Sequence, residues 1–270
     1  MLTETAYAKI NLALHVRERR DDGYHELETL FAFVDDGDKL TARSSERDTL
    51  RTVGEFASGI DDPFGNIVAK ALGTLPHEGG LAVELDKRLP VAAGLGGGSA
   101  DAGAVFRMIE QAQGQLPDDW QARAARLGAD VPACVRSRAC IGRGTGTELE
   151  PIENDLAGTR VLLVNPREPV PTGPVFKAWD GVDRGAMPPG SVRAVALNGR
   201  NDLEDAAISI CPVIADVLTA LRATAPFLAR MSGSGATCFG LYDSSAHMAE
   251  AAAAIAARYP AWWQMSGKLR

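Results

Sequence analysis

The sequence has no apolar run that approaches the ~20 residues of a membrane-spanning helix. Its first residues lack the basic segment and the apolar core of a secretory signal peptide. Basic runs are also absent, and the formal net charge is −7, so nucleic acids and anionic membrane surfaces are poor candidates as partners. These absences favour a soluble globular protein of the cytoplasm.

Metal-ligand spacing is missing as well. The four cysteines contain no C-x-x-C pair, and the four histidines show no spacing typical of a metal site. The cysteines, which lie in apolar surroundings, are Cys134, Cys140, Cys211 and Cys238. We therefore interpret them as small buried hydrophobic residues and predict neither a zinc site nor a disulfide.

A glycine-rich segment, residues 90–102, is the most informative feature that is present. Four glycines and a serine lead directly into apolar residues at helical spacing. Glycine lets the backbone approach an anion without a Cβ, and a helix start adds N–H groups and the positive end of its dipole. The segment therefore predicts a phosphate-binding loop, although a flexible or close-packed glycine turn is the alternative.

Two common glycine-loop motifs do not fit this segment. A P-loop requires a lysine directly after its glycines, and none follows here. The dinucleotide-binding fingerprint would place its third glycine at position 99, where the chain has Ser99.

Hydrophobic periodicity in the first half predicts strands on both sides of one helix. Residues 6–34 alternate around an Asp-Asp-Gly turn and indicate a hairpin, with another strand near residues 39–42. Asn66 is typical of the cap of a helix that runs to Leu75, and residues 81–85 alternate again.

The second half predicts helices and strands in no strict alternation. We expect helices over residues 120–127, after Pro212 and over 245–258, and the expected strands are residues 160–164, residues 237–241 and a last one near Trp262. Residues 165–200 show no convincing period. This mixture predicts an α+β chain of two domains, with residues 151–159 as the boundary.

Several separate segments together resemble one known family. They are, in chain order, Ala8-Lys9-Ile10-Asn11-Leu12, Gly23-Tyr24-His25-Glu26-Leu27, Gly94-Leu95-Gly96-Gly97-Gly98-Ser99, Leu127-Gly128-Ala129-Asp130-Val131-Pro132 and Ser232-Gly233-Ser234-Gly235. In this order they resemble the GHMP kinases, and the likeness spans nearly the whole chain. Asn201-Asp202-Leu203-Glu204 is also similar to a segment of one subfamily.

The resemblance implies a two-domain α+β GHMP kinase fold, with an ATP-binding domain at residues 1–155, a C-terminal domain at 156–270 and the active site in the cleft between them. The subfamily implies that ATP phosphorylates the 2-hydroxyl of the methylerythritol part of a cytidine-diphosphate conjugate, in isoprenoid precursor biosynthesis by the non-mevalonate route. Such a transfer needs an aligned acceptor oxygen and stabilised phosphate charge.

By this resemblance, Asp130 is the catalytic carboxylate that accepts or orients the proton of the attacking hydroxyl. Lys9 lies close to it and favours its ionised form. Taken alone, Asp130 reads as a capping or turn aspartate and Lys9 as a solvated strand lysine.

The remaining implied site residues bind phosphate or substrate. The ATP phosphates are assigned to Pro90, Val91, Ala92, Ala93, Gly94, Leu95, Gly96, Gly97, Gly98, Ser99 and Ala100. Mg²⁺ is expected with ATP, but no protein ligand for it is assigned, because phosphates and water can hold most of its shell.

Cytosine recognition is implied for Tyr24 and His25, with Phe176 as the aromatic on the opposite side of the base. Asn11 and Thr172 are candidate hydrogen-bond partners of the sugar or diphosphate. On its own, Tyr24 reads as an exposed aromatic at a hairpin end, and Phe176 as a core residue.

Two other functions stay open at this stage. One is a GHMP kinase for mevalonate, phosphomevalonate, homoserine or a sugar, which would have no use for a base-stacking pair. The other is a nucleotide-binding regulator without turnover, which would not need Lys9 beside Asp130. The sequence sets no oligomeric state.

Overall fold

The computed structural model describes residues 1–60, 66–77 and 79–270, and the chain forms two compact units. The first unit comprises Met1–Lys9, Asp36–Val91 and Gly96–Ser137, and the second comprises Ile10–Asp35, Ala92–Leu95 and Arg138–Arg270. The units are discontinuous because the long strands β1 and β2 each contribute to both. They divide the chain differently from a single boundary after residue 155, which stays a prediction.

The first unit joins a sheet to a group of helices. Its strands are β1 (Leu2–Arg19, through Lys9), β2 (His25–Ser45, from Asp36), β3 (Thr49–Val53) and β4 (Gly80–Asp86). Strand β4 runs antiparallel to residues 39–45 of β2 and parallel to β3, and β1 pairs with β2. The helical segments are α1 (Ile67–Thr74), α2 (Gly97–Gln113), α3 (Trp120–Leu127), α4 (Val131–Arg136) and a short 3-10 turn (Ala57–Gly59).

Local chemistry sets the ends of the first-unit helices. The Asn66 side chain accepts a hydrogen bond from the Val68 N–H and caps α1, as predicted. Gly96 precedes α2 with φ of +59°, and Gly114 ends that helix with φ of +86°. Both angles lie in the left-handed region that glycine adopts at little cost.

The second unit is built around an antiparallel sheet in the order β10-β7-β9-β8. These strands are β7 (Arg160–Asn165), β8 (Leu228–Met231), β9 (Cys238–Tyr242) and β10 (Trp263–Lys268). Near the start of β2, β5 (Cys140–Arg143) pairs with residues 29–31 and with β6 (Glu148–Pro151). The helices are α5 (Thr172–Ala178), α6 (Val192–Asn198), α7 (Glu204–Ile210), α8 (Val213–Ala223) and α9 (Ser245–Arg258).

The structure corrects three details of the sequence interpretation. The strand expected near residues 39–42 is the continuation of β2, and the unpatterned segment 165–200 contains α5 and α6. Lys9, which taken alone reads as a solvated strand lysine, is buried, and so are Asn11 and His15 on the same strand, each at most 4% exposed. No helix in the described ranges is long and apolar enough to span a bilayer.

Candidate active site

Lys9 and Asp130 form an ion pair in the first unit. Lys9 lies on β1, and Asp130 directly precedes α4. Lys9 Nζ is 3.0 Å from Asp130 Oδ2, and the lysine side chain is 5% exposed while that of the aspartate is 32% exposed. The Asp130 side chain makes no capping hydrogen bond to α4. The interpretation of Asp130 as a helix-capping residue therefore has no support in the structure.

The glycine loop passes beside this pair. A Cβ at Gly96 would lie 2.8 Å from Lys9 Cε and 3.6 Å from Asp130 Oδ2. Helix α2 begins at the next residue, so N–H groups without helical acceptors start close to the Lys9 side chain. Backbone donors, a helix dipole and an ammonium group in one place suit the oxygens of a phosphate.

Arg107 on α2 connects the two elements that carry the ion pair. Its guanidinium donates to the Thr5 carbonyl of β1 at 2.7 Å and to the Cys134 carbonyl of α4 at 2.7 Å, and it pairs with Glu4 at 2.9 Å. One side chain on α2 thus fixes β1 and α4 at the two ends of the Lys9–Asp130 contact.

A buried ionic cluster supports the start of the glycine loop. Lys87 Nζ donates to Asp38 at 2.5 Å and to Asp101 on α2 at 2.7 Å. Asp38 Oδ1 accepts the N–H groups of Arg88 at 2.6 Å and Leu89 at 2.7 Å, directly before the loop. The cluster therefore holds the chain both before and after the glycines. No sequence signal pointed to it, because its members lie in three separate segments.

Burial and charge determine the protonation of this cluster. Burial raises the pKa of Asp101 well above its usual range, Lys87 opposes that shift, and Asp38 adds to it. Burial also opposes the charge of Lys87, yet Asp101 and Asp38 prevail and raise the pKa of Lys87. Burial thus favours the protonated form of Asp101, while the neighbouring carboxyl groups favour the charged form of Lys87.

The middle of the glycine loop, residues 92–95, is held within the second unit. Ser232 Oγ donates to the Gly94 carbonyl at 2.8 Å, and the Thr237 N–H donates to the Ala93 carbonyl at 3.1 Å. Gly94 has φ of +75°, and a Cβ there would lie 2.2 Å from the Ser232 carbonyl oxygen. The second glycine turn, residues 232–235, therefore supports the middle of the glycine loop.

Asn201 holds that second turn in place. Its Nδ2 donates to the carbonyls of Met231 at 2.9 Å and Gly233 at 2.8 Å, and its Oδ1 accepts the Leu203 N–H at 3.0 Å. The neighbouring Asp202 accepts the Val16 N–H of β1 at 2.9 Å. The segment Asn201–Glu204 thus connects β1 to the turn, a role that the sequence had not indicated.

We expect Asn201→Ala to lower the free energy of unfolding by about 1 to 3 kcal/mol, because two carbonyls would be left without a donor in a buried place. Urea denaturation followed by circular dichroism measures this. Asn198→Ala is the matched control, since Asn198 Nδ2 donates to the Ala194 carbonyl on the exposed side of α6. Equal effects of both variants would contradict the bracing role of Asn201.

Aromatic residues surround His25 in the second unit. The His25 ring lies 5.0 Å from the Phe176 ring and, edge-on, 5.7 Å from the Trp179 ring, measured between centroids. Burial, and then the charge of Arg19, lower the pKa of His25. Tyr24 is 62% exposed, so an incoming planar group can reach its ring. The predicted residues Tyr24, His25 and Phe176 thus lie in one region of this unit.

The other two predicted substrate residues have protein partners. Thr172 Oγ1 and Ser234 Oγ are 3.1 Å apart, so Thr172 contacts the second glycine turn. Asn11 is 2% exposed, and its amide donates to Thr29 Oγ1 at 2.7 Å. The Asn11 backbone N–H also donates to Ser232 Oγ at 3.2 Å, so Asn11 supports the second glycine turn as well as being a candidate substrate contact.

A protein-built metal centre is not found in the part of the chain that the structure describes. No group of three His, Cys, Asp or Glu side chains there is arranged to hold an ion. The buried acidic pair Asp38 and Asp101 already binds the Lys87 ammonium. The donor set is therefore not that of an all-protein Mg²⁺ site.

Family models and curated relatives match this chain. Residues 65–138 match the model of the GHMP kinase N-terminal domain, and residues 192–261 match that of the C-terminal domain. A 4-diphosphocytidyl-2-C-methyl-D-erythritol kinase of Novosphingobium aromaticivorans is 71% identical over 269 residues, covering 100% of this chain and 93% of its own. The protein of that name in Erythrobacter litoralis is 66% identical, covering 100% of both.

A solved structure extends the likeness to three dimensions. The crystal structure of a 4-(cytidine 5'-diphospho)-2C-methyl-D-erythritol kinase is 33% identical, with a TM-score of 0.82 and 99% of each chain covered. The family models, the curated relatives and this solved structure all indicate the same family. The chain belongs to the GHMP kinases, within the family of 4-diphosphocytidyl-2-C-methyl-D-erythritol kinases.

Proposed function

We propose that this chain transfers the γ-phosphate of ATP to the 2-hydroxyl of 4-diphosphocytidyl-2-C-methyl-D-erythritol. The observation that carries the proposal is the 3.0 Å Lys9–Asp130 ion pair beside the glycine loop. A protein that only binds nucleotides has no need for a carboxylate beside a lysine at that position. The names of the close relatives support the substrate.

In the proposed reaction the substrate 2-hydroxyl oxygen forms a bond to the γ-phosphorus, and the bond from that phosphorus to the β,γ-bridging oxygen breaks. The hydroxyl proton passes to the Asp130 carboxylate, and ADP leaves with the bridging oxygen. Lys9 pairs with the Asp130 carboxylate before the transfer and offers positive charge to the moving phosphoryl group. Little covalent work is required of the protein, so positioning and charge account for most of the rate.

The glycine loop is proposed to hold the phosphates of ATP. GHMP kinases use ATP as phosphoryl donor, and the N–H groups that begin α2 are free of helical acceptors. Mg²⁺ is proposed as the companion of ATP and would shield phosphate charge when bound. The donor set described above fits an ion carried mainly by phosphates and water, so no step is assigned to a protein-bound metal.

The cytosine base is proposed to bind at Tyr24, His25 and Phe176. Tyr24 offers an exposed ring for stacking, while the rings of Phe176 and His25 pack on each other. A neutral His25 has one donor and one acceptor nitrogen, which suits the edge of a base. Thr172 and Asn11 are proposed contacts of the sugar or diphosphate. The reaction is proposed to take place in the cytoplasm, where ATP is plentiful.

The direct test follows ADP release from Mg-ATP with the purified chain. 4-Diphosphocytidyl-2-C-methyl-D-erythritol, mevalonate and homoserine are supplied in parallel, and we expect turnover with the first alone. Turnover with mevalonate or homoserine alone would keep the kinase fold and discard the cytosine site. Release with none of the three would favour the nucleotide-binding regulator.

A further inference from the structure

The contact between Arg19 and His25 fixes the position of a proton. Arg19 Nε donates to His25 Nε2 at 3.4 Å. A guanidinium has no acceptor and keeps its protons in proteins, so His25 Nε2 must present its lone pair to it. A neutral imidazole carries a single N–H, which then belongs to Nδ1.

Arg19 is held in this orientation from the other side. Its Nη2 donates to the carbonyls of Trp179 at 3.2 Å and Lys177 at 3.4 Å, at the end of α5. The His25 ring is in turn confined by the rings of Phe176 and Trp179. The guanidinium and the imidazole therefore meet in a defined geometry although Arg19 itself is exposed.

The second nitrogen of the ring is left for a ligand. Within the described ranges, the hydrogen bond from Arg19 is the one protein hydrogen bond of the His25 ring. Nδ1 is not among the fully buried polar atoms that lack a partner, so a ligand can reach it. Protonation of the ring would place an N–H instead of a lone pair opposite the guanidinium. The lowered pKa of His25, which is caused by burial and then by the charge of Arg19, agrees with this. His25 thus offers one donor, at Nδ1.

We infer that Arg19 is a specificity-determining residue, because it fixes His25 as a hydrogen-bond donor at Nδ1 and so favours cytosine over uracil. This inference rests on the base site of the proposed function. Ring nitrogen N3 of cytosine is an acceptor and pairs with a donor, whereas N3 of uracil carries a hydrogen and would oppose it. Arg19 acts on the base through His25 and is a positioning residue for it.

The tautomer is tested without any ligand. Nitrogen-15 NMR of the histidine rings near pH 8 distinguishes the two neutral forms, and His25→Gln identifies the signal of His25. We expect the Nδ1–H form in the unaltered protein and a shift toward the Nε2–H form, which free imidazole side chains prefer, in Arg19→Met. An Nε2–H form in the unaltered protein, or no change in Arg19→Met, would overturn the inference.

The consequence for recognition is tested by calorimetric binding of cytidine 5'-diphosphate and uridine 5'-diphosphate. Both ligands carry the same diphosphate, so the loss of the Arg19 charge weakens the binding of both equally. The ratio of the two affinities therefore reports only the recognition of the base. We expect Arg19→Met to lower the preference for cytidine diphosphate by about threefold to tenfold, the worth of one net hydrogen bond. Arg19→Lys, which keeps a donor and the charge, should restore part of the preference.

The matched control is Arg20→Met. Arg20 is the adjacent arginine and pairs with Asp22 at 3.0 Å and Glu26 at 3.3 Å, away from the His25 ring. Its loss should leave both the tautomer and the affinity ratio unchanged. An unchanged ratio in Arg19→Met would reject the role of Arg19 in specificity. If neither diphosphate binds the unaltered protein, the proposed base site is wrong, and the NMR result still decides the Arg19–His25 relation by itself.

Discussion

Asp130→Asn is expected to lower kcat for phosphoryl transfer by about a hundredfold to ten-thousandfold, the usual contribution of a positioned general base. The amide keeps the size of the side chain but neither accepts the hydroxyl proton nor pairs as an anion with Lys9. ATP affinity should change little, since the loop donors are backbone groups. Steady-state ADP release gives kcat, and equilibrium binding of a non-hydrolysable ATP analogue gives the affinity.

A matched surface change separates this effect from a general loss of charge. Asp119 precedes α3 and forms an ion pair with Arg123 at 2.7 Å, with 56% of its side chain exposed. Asp119→Asn should leave kcat within a factor of two, an allowance of about 0.4 kcal/mol in the barrier. An Asp130→Asn enzyme with normal turnover would show that Asp130 is not the catalytic carboxylate, while leaving the kinase activity itself unaffected.

Lys87→Met is expected to reduce the free energy of unfolding by about 3 to 5 kcal/mol, the usual cost of removing one partner of a buried ion pair. Asp38, which is fully buried, would lose the ammonium that pairs with it, while its other oxygen still accepts from the Arg88 and Leu89 N–H groups. Urea denaturation at pH 7.5 measures the loss. Because the cluster holds both ends of the glycine loop, ATP affinity should fall as well.

Asp101→Asn is the control within the same cluster. Burial raises the pKa of Asp101 well above its usual range, which favours the protonated carboxyl. An amide retains an oxygen that can accept from Lys87, and Asp38 stays beside the ammonium, so we expect a smaller loss than the about 3 to 5 kcal/mol of Lys87→Met. A loss as large as that of Lys87→Met would instead mean that Asp101 is ionised in the folded protein.

Elements with strong local signals were predictable from the sequence. Helix α9 has the predicted bounds, Asn66 caps α1 as expected, and β7 and β9 lie within one residue of their predicted strands. In each case a capping side chain or an uninterrupted apolar period determines the element by itself. The family resemblance rested on such local segments too, and the comparisons confirmed it.

Relations between distant segments were not predictable in the same way. Helix α5 has seven residues and one buried side chain, Val175, so its apolar period was too short to notice. Lys87 has no neighbour in sequence that marks it as buried, and its partners lie 49 and 14 residues away. The support of Gly94 by Ser232 spans 138 residues. Such contacts depend on tertiary packing, which a single sequence does not display.

The path of β1 also has a consequence for the order of events on the ribosome. Every residue of the first unit precedes position 138, while the stretch of β1 from Ile10 onward belongs to a unit that ends with β10. At ~5–20 residues per second, the remaining 133 residues take roughly 7 to 27 s to be made. During that interval the apolar side chains of β1 lack many of the residues that bury them in the folded protein. These side chains are Ile10, Leu12, Leu14 and Val16. The nascent chain therefore carries an apolar strand before much of the unit that buries it has been made.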